Sequence, residues 1–252
     1  MFLQFLHLGP HPKTFNFGEL DGFFVAFKLR VDSNPKLDDY CVALFWVQEK
    51  LLLCEDIFMS LAVALILGAL LWTFAEYNIH RFAGHEWQRR SQKIYTFVNI
   101  FRSEHAKHHF KKEYFASNFE KAKAALAAGS LIFTLGVLFV SAQLALAFTV
   151  GFILMYLYYE FFHRLCHVAP PKSWYGKILR KHHFYHHFAE EDMNHGVTTR
   201  FWDLLYGTYV KTNVVPINKK YTMGWLVEDE SDDLVRSEYV SDYKIVLSTK
   251  YT

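Results

Sequence analysis

Two long apolar runs organise the chain. Residues 57–75 hold nineteen consecutive uncharged positions, which as a helix reach about 28 Å, close to the roughly 30 Å hydrocarbon core of a bilayer. The second run, 124–159, has thirty-six uncharged residues. One helix of that length would reach about 54 Å, so the pattern predicts two shorter spans reversing near Ser141, Ala142 and Gln143. Neither run carries the polar stripe of a surface helix in a soluble protein.

The flanks are less regular. Residues 1–56 contain Pro10, Pro12 and Pro35, with short aromatic runs such as Phe23-Phe24. The half-apolar stretch 41–53 is broken by Glu49 and Lys50; too short and too charged to span, it reads as interfacial. No cationic segment precedes an apolar core at the start, so no cleavable signal peptide is expected. After the second run the chain turns amphipathic. Phe201, Trp202, Leu204, Leu205 and Tyr206 are expected to pack beneath a functional site, and 228–233 (EDESDD) reads as a solvated acidic loop. The divisions are an N-terminal segment 1–56, a membrane-embedded domain 57–212 and a soluble C-terminal tail 213–252.

Composition changes this picture little: 52% hydrophobic and 18% aromatic residues with a net charge of +2. The distribution of cations matters more. Residues 78–120 carry eight Lys or Arg against four Glu, and 161–182 carry five cations and no acid. By the positive-inside rule both segments lie on the cytoplasmic side. Three spans would put the N-terminus opposite them and a fourth would put it on the same side. Attraction to anionic headgroups is compatible with these charges, and no nucleic-acid partner is needed. Cys41, Cys54 and Cys166 have no CxxC spacing and suit a reducing or membrane setting.

Those same basic segments hold the chemistry. Twelve of fourteen histidines fall in sets: His80 and His85; His105, His108 and His109; His163 and His167; His182, His183, His186 and His187; and His195. At spacings of three or four on a helix, imidazoles project from one face and can grip one ion. His80 and His85, five apart, lie about 140° around a regular helix, which predicts a helix end or bend between them. The repeated forms give ten candidate ligands: His80, His85, His105, His108, His109, His163, His167, His183, His186 and His187. That is too many for one ion, and two adjacent metals with about five imidazoles each fit better.

Two irons can supply electrons to reduce O2, whereas zinc has no redox chemistry. With the spans bringing the histidines to one membrane face, oxidation of a lipid is the favoured chemistry. Metal-bound histidine usually donates its other N–H to a carboxylate or carbonyl. Glu76, four before His80, and Glu160, three before His163, are therefore proposed as orienting residues, the alternative being that each snorkels to the headgroups. His182 reads as lying one shell outside the ligands, and Cys166 as packing.

The order HRFAGH, HAKHH, YYEFFHRLCH and KHHFYHHF, followed by a Gly and a Trp-Asp pair, resembles the fatty acid hydroxylase and sterol desaturase superfamily over roughly residues 72–207. The resemblance implies an all-α fold, a multi-span membrane helix bundle with a cytosolic histidine-rich helical cap. It implies the ten ligands above, two iron ions with zinc as an alternative occupant, O2 as co-substrate, and Glu160 as the acid of the third histidine box. The implied activity is hydroxylation of a lipid alkyl chain or sterol-like lipid. The segment HHFKKEYFASNF lacks the proline usual in the branch acting at carbon 2 of fatty acids, and His195 stands where that branch tends to have an aromatic residue. His195 is then an extra ligand, a substrate contact or a packed aromatic substitute. No His-Pro-Gly-Gly motif of a fused cytochrome b5 module occurs, so a separate cytochrome b5 or ferredoxin type donor is expected.

Two other classes compete. A desaturase of the same superfamily uses the same oxidant, and nothing in the sequence separates the two. A non-enzymatic membrane metal-binding or transport protein would place ionisable residues within the spans, and the apolar runs have none.

Overall fold

The computed structural model describes residues 35–87, 96–111, 113–229 and 234–247. By internal contacts the chain divides into two units, Met1–Cys54 and Glu55–Thr252. The expectations for residues 1–34 lie outside the described residues, as does most of the acidic loop, 230–233. In the first unit, described from Pro35, the stretch expected at the interface is helical and exposes Leu51 and Leu52.

The fold is mostly helical. Helix α1 (Pro35–Asn78) continues into a π-helical segment (Ile79–Glu86), and α2 spans Thr96–Phe110. Then come α3 (Asn118–Gly136), α4 (Ala142–Val168), α5 (Trp174–Phe188) and the short α6 (Phe201–Tyr206). Two short parallel strands, β1 (Val215–Asn218) and β2 (Tyr243–Val246), pair in register from Val215 opposite Tyr243.

Serine caps mark where helices start. Ser117 Oγ accepts the Glu120 N–H at 3.3 Å, Ser141 Oγ that of Leu144 at 3.4 Å, and Ser173 Oγ that of Gly176 at 3.0 Å. Each satisfies a backbone donor that the first turn leaves orphaned. Ser141 thus ends the reversal that the length of the second apolar run demanded, and α3 returns antiparallel against α4. Gly129 faces Ile153 and Thr149, and the Tyr156 hydroxyl donates to the Lys121 carbonyl at 3.2 Å.

Two helical stretches, Lys50–Glu86 and Ala142–Val168, are long and apolar enough to cross a membrane. They touch through glycines. A Cβ on Gly68 would stand 1.9 Å from the Phe148 carbonyl oxygen, and one on Gly151 would stand 1.9 Å from that of Leu65. Only bare backbone allows so close a crossing, the usual device where two helices associate in lipid. Above this crossing Trp72 packs edge-on against Phe152 and Tyr156, at centroid distances of 5.2 and 4.8 Å. Outward-facing side chains such as Phe58, Leu126, Leu138 and Phe139 are more than two-thirds exposed, the kind of apolar surface water does not tolerate in bulk.

Two expectations are corrected. Residues 201–206 do not pack beneath the site: Phe201, Leu204 and Leu205 are 57%, 59% and 62% exposed, and Trp202 turns toward α1, its Nε1 donating to Thr73 Oγ1 at 3.0 Å. A six-residue helix has two faces, and Asp203 claims the inner one. Nor does the chain from 213 onward behave as a separate tail. Val215, Ile217, Met223, Leu226 and Tyr243 share one buried cluster with Cys166, Phe184 and Phe188, because the inner faces of α4 and α5 would otherwise expose that surface.

Candidate metal centre

Histidines occupy the centre of the helical assembly, where a soluble protein would place aliphatic side chains. The π-helical segment explains the awkward spacing of His80 and His85. With i to i+5 hydrogen bonding the helix widens, residues five apart come back to one side, and the two rings lie 5.4 Å apart without any break in the helix. The predicted bend is a change of helix type.

The ten candidate ligands form two groups. His80, His85, His105, His109 and His186 make one, and His108, His163, His167, His183 and His187 the other; within each group one ligand atom per residue lies within 4.8 Å of all the others. Both HxxHH trios are split rather than each gripping one ion. α2 sends His105 and His109 to the first group and His108 to the second, while α5 sends His186 to the first and His183 with His187 to the second. Positions i and i+4 share a face, and the residue between them is rotated about 100° from its neighbour, so each helix straddles both groups. His109 and His187 stack across the divide at 4.1 Å and 9°.

Hydrogen bonding orients these rings. His80 Nδ1 meets the His195 carbonyl at 2.5 Å, His108 Nδ1 that of Tyr114 at 2.8 Å, and His186 Nδ1 that of Met193 at 3.0 Å. A carbonyl only accepts, so each Nδ1 carries the proton and each Nε2 lone pair is left for the interior. Nε2 of His80, His108, His109, His163, His186 and His187, and Nδ1 of His183, are buried with no hydrogen-bond partner. An unsatisfied buried polar group costs about 1–3 kcal/mol. Seven buried ring nitrogens without a partner are what a bound cation in each group would satisfy, and the all-imidazole donor set fits the borderline metals that imidazole favours.

Electrostatics point the same way. Burial, reinforced by neighbouring imidazoles, holds His105, His109, His183, His186 and His187 well below the ordinary histidine range. Burial pushes His108 down to about 4, against the opposing bond to the Tyr114 carbonyl. The rings are thus neutral at neutral pH, the form in which imidazole can bind a metal. Unfolded histidine titrates near 6.5, so between about 6.5 and 4 the unfolded chain binds more protons and stability falls with falling pH. Protein stripped of metal should therefore lose thermal stability steadily between pH 7 and 5 in detergent; a flat profile would contradict neutral buried rings.

The carboxylates sit elsewhere than expected. Glu76 is buried, but its partners are a loop: it accepts Val197 N–H at 2.6 Å, Thr198 N–H at 2.9 Å and Thr198 Oγ1 at 2.5 Å. Its effect on His80 runs through that loop, whose His195 carbonyl holds the ring. Glu160 pairs with Lys121 at 2.5 Å rather than with a histidine. His182 stands outside both groups, its Nε2 2.9 Å from Asp203 Oδ2. Cys166 is wholly buried in the apolar cluster, as packing.

Asp203 is the residue that sequence reasoning passed over. Fully buried, it accepts the His195 and Gly196 N–H groups, the Thr208 hydroxyl, each at 2.8 Å, and His182. Burial alone would raise its pKa, but these bonds hold the carboxyl below the usual range. Gly196 is required here, since a Cβ would stand 2.1 Å from the Thr199 carbonyl oxygen. Asn194, with φ of 59°, closes the loop by exchanging bonds with the Val210 backbone at 2.7 and 3.0 Å. The Asn194-His195-Gly196 triplet and the Trp202-Asp203 pair were the available signal.

The family model for fatty acid hydroxylases matches residues 65–208, which span all ten histidines and Asp203. The chain belongs to the fatty acid hydroxylase family. It is similar to mouse fatty acid 2-hydroxylase, 27% identical over 169 residues, covering 64% of this chain and 42% of that protein. A dihydroceramide fatty acyl 2-hydroxylase of Arabidopsis thaliana is 30% identical over 151 residues, 60% of this chain and 62% of its own length. The chain thus spans roughly two-fifths to three-fifths of these relatives. A solved structure of full-length scs7p, in which only the hydroxylase domain is visible, aligns with a TM-score of 0.50 at 22% identity over 61% of this chain and 57% of that one, a likeness of fold.

Proposed function

We propose that this member of the fatty acid hydroxylase family is an integral membrane enzyme that hydroxylates the alkyl chain of a fatty acyl lipid, using O2 and two irons. The observation that carries the reading is the pair of five-imidazole groups at the ends of two helices long enough to span a bilayer. The names of the relatives favour an acyl chain over a sterol-like substrate.

His80, His85, His105, His109 and His186 would hold one ion, and His108, His163, His167, His183 and His187 the other. Iron in these positions would supply the electrons for O2 chemistry, and zinc would bind without supplying them. The protein's part is to keep the rings neutral by burial, fix their tautomers through the carbonyls of His195, Tyr114 and Met193, and exclude water. Electrons would come from a cytochrome b5 or ferredoxin type donor.

The topology follows from the same placement. The π-helical continuation of α1 and the C-terminal end of α4 both carry histidines, so the two helices cross in the same direction and α3 must return the chain between them. The basic flanks put those ends on the cytoplasmic side. The fold is then a multi-span bundle beneath a histidine-rich cap, with the membrane-embedded domain running from about residue 57.

The test is a whole-lipid mass spectrum of cells expressing the chain beside cells expressing a His108→Ala, His186→Ala double variant. A lipid heavier by one oxygen only with the intact chain is the expected result. A product lighter by two hydrogens would make the protein a desaturase, and no difference with donors supplied and folding verified would leave a metal-binding protein without this activity.

A further inference from the structure

His195 sits in the loop that Glu76 and Asp203 tie down, and it is 1% exposed. Its ring centroid lies 5.3 Å from His186, 5.8 Å from His80 and 5.9 Å from His85. The five rings of that group keep separations of 4.4 to 6.5 Å among themselves, so His195 stands at the rim of the group, at ligand-like spacing from three of its rings but outside the set whose ligand atoms all lie within 4.8 Å of one another. Neither of its ring nitrogens has a hydrogen-bond partner. Its Nδ1 faces Asp203 Oδ1 at 3.8 Å, beyond hydrogen-bond reach but within a small rotation of the ring.

A phenyl ring would fill this space without an unpaired polar atom, so packing alone does not explain an imidazole. The orientation does. A metal-bound histidine usually donates its second N–H to a carboxylate, and a ring with Nδ1 toward Asp203 leaves Nε2 on the edge away from it.

We propose that His195 Nε2 is a sixth nitrogen donor to the metal position formed by His80, His85, His105, His109 and His186. The inference rests on the reading of those five, and of the other five, as ligands. It makes the two positions unequal. Six imidazoles complete an octahedral set, whereas the position formed by His108, His163, His167, His183 and His187 keeps one coordination site for a small molecule.

The test uses the full chain in detergent loaded with Co(II), comparing the wild type with His195→Phe and His195→Gln. Wild type should hold two ions per chain. In His195→Phe one ion should fall from six to five donors, intensifying the visible cobalt bands, and should pass to a chelator about tenfold faster or more. The other ion should leave at the wild-type rate, which reports an intact frame. His195→Gln, which keeps a polar group, should shift the same ion in the same direction. Unchanged spectra and release in both variants would overturn the proposal, as would loss of both ions together in both. Fewer than two ions in the wild type would overturn the ten-ligand reading instead.

Discussion

Alanine in place of His186 is expected to remove one of the two proposed metal ions and with it the proposed lipid hydroxylation. His186 is fully buried, its Nδ1 is committed to the Met193 carbonyl, and its Nε2 has no partner in the protein. The ring lies 4.4 Å from His80, 4.7 Å from His85 and 4.9 Å from His109, so its loss opens the middle of one group. Changes one shell further out typically weaken metal binding by about 10–100-fold, and loss of a direct donor should exceed that range. His108→Ala should do the same to the other group. Metal content by mass spectrometry, read beside product formation, checks both. Two retained ions with normal turnover in either variant would sink the assignment.

Asp203→Ala is expected to be the most damaging change away from the ten histidines. It leaves two backbone N–H groups, a threonine hydroxyl and the His182 ring facing a void. Each buried donor left without its acceptor costs about 1–3 kcal/mol. The damage should also be selective for one ion, because the loop that Asp203 anchors supplies the carbonyl holding His80. Denaturant unfolding and metal content measured together decide it. Destabilisation under about 1 kcal/mol, the worth of a single ordinary hydrogen bond, would show that Glu76 and Asn194 hold the loop without it.

Local pattern determined a good deal of this protein. Charge-free runs set which helices are long and apolar enough to span, since length against bilayer thickness is a one-dimensional property. The 36-residue run had to reverse, and Ser141 caps the helix that follows. The ten histidines that meet in the two groups were legible as sets, because spacings of three and four put side chains on neighbouring faces whatever the surroundings.

Only the tertiary structure decided how those sets are shared. Whether His108 joins His105 or His163 depends on where α2 sits between the π-helical segment and α4, and helix placement is not written in spacing. The i+5 pair fits because the helix itself widens, a response to tertiary demand that a regular 3.6-residue period cannot signal. Glu76 lies one turn before His80 in sequence but bonds to residues 197 and 198, since a buried carboxylate goes where several donors converge. Asp203 shows the same rule most clearly: beside Trp202 it reads as an ordinary polar residue of a short helix, and its role exists only once His182, His195, Gly196 and Thr208 have been brought around it.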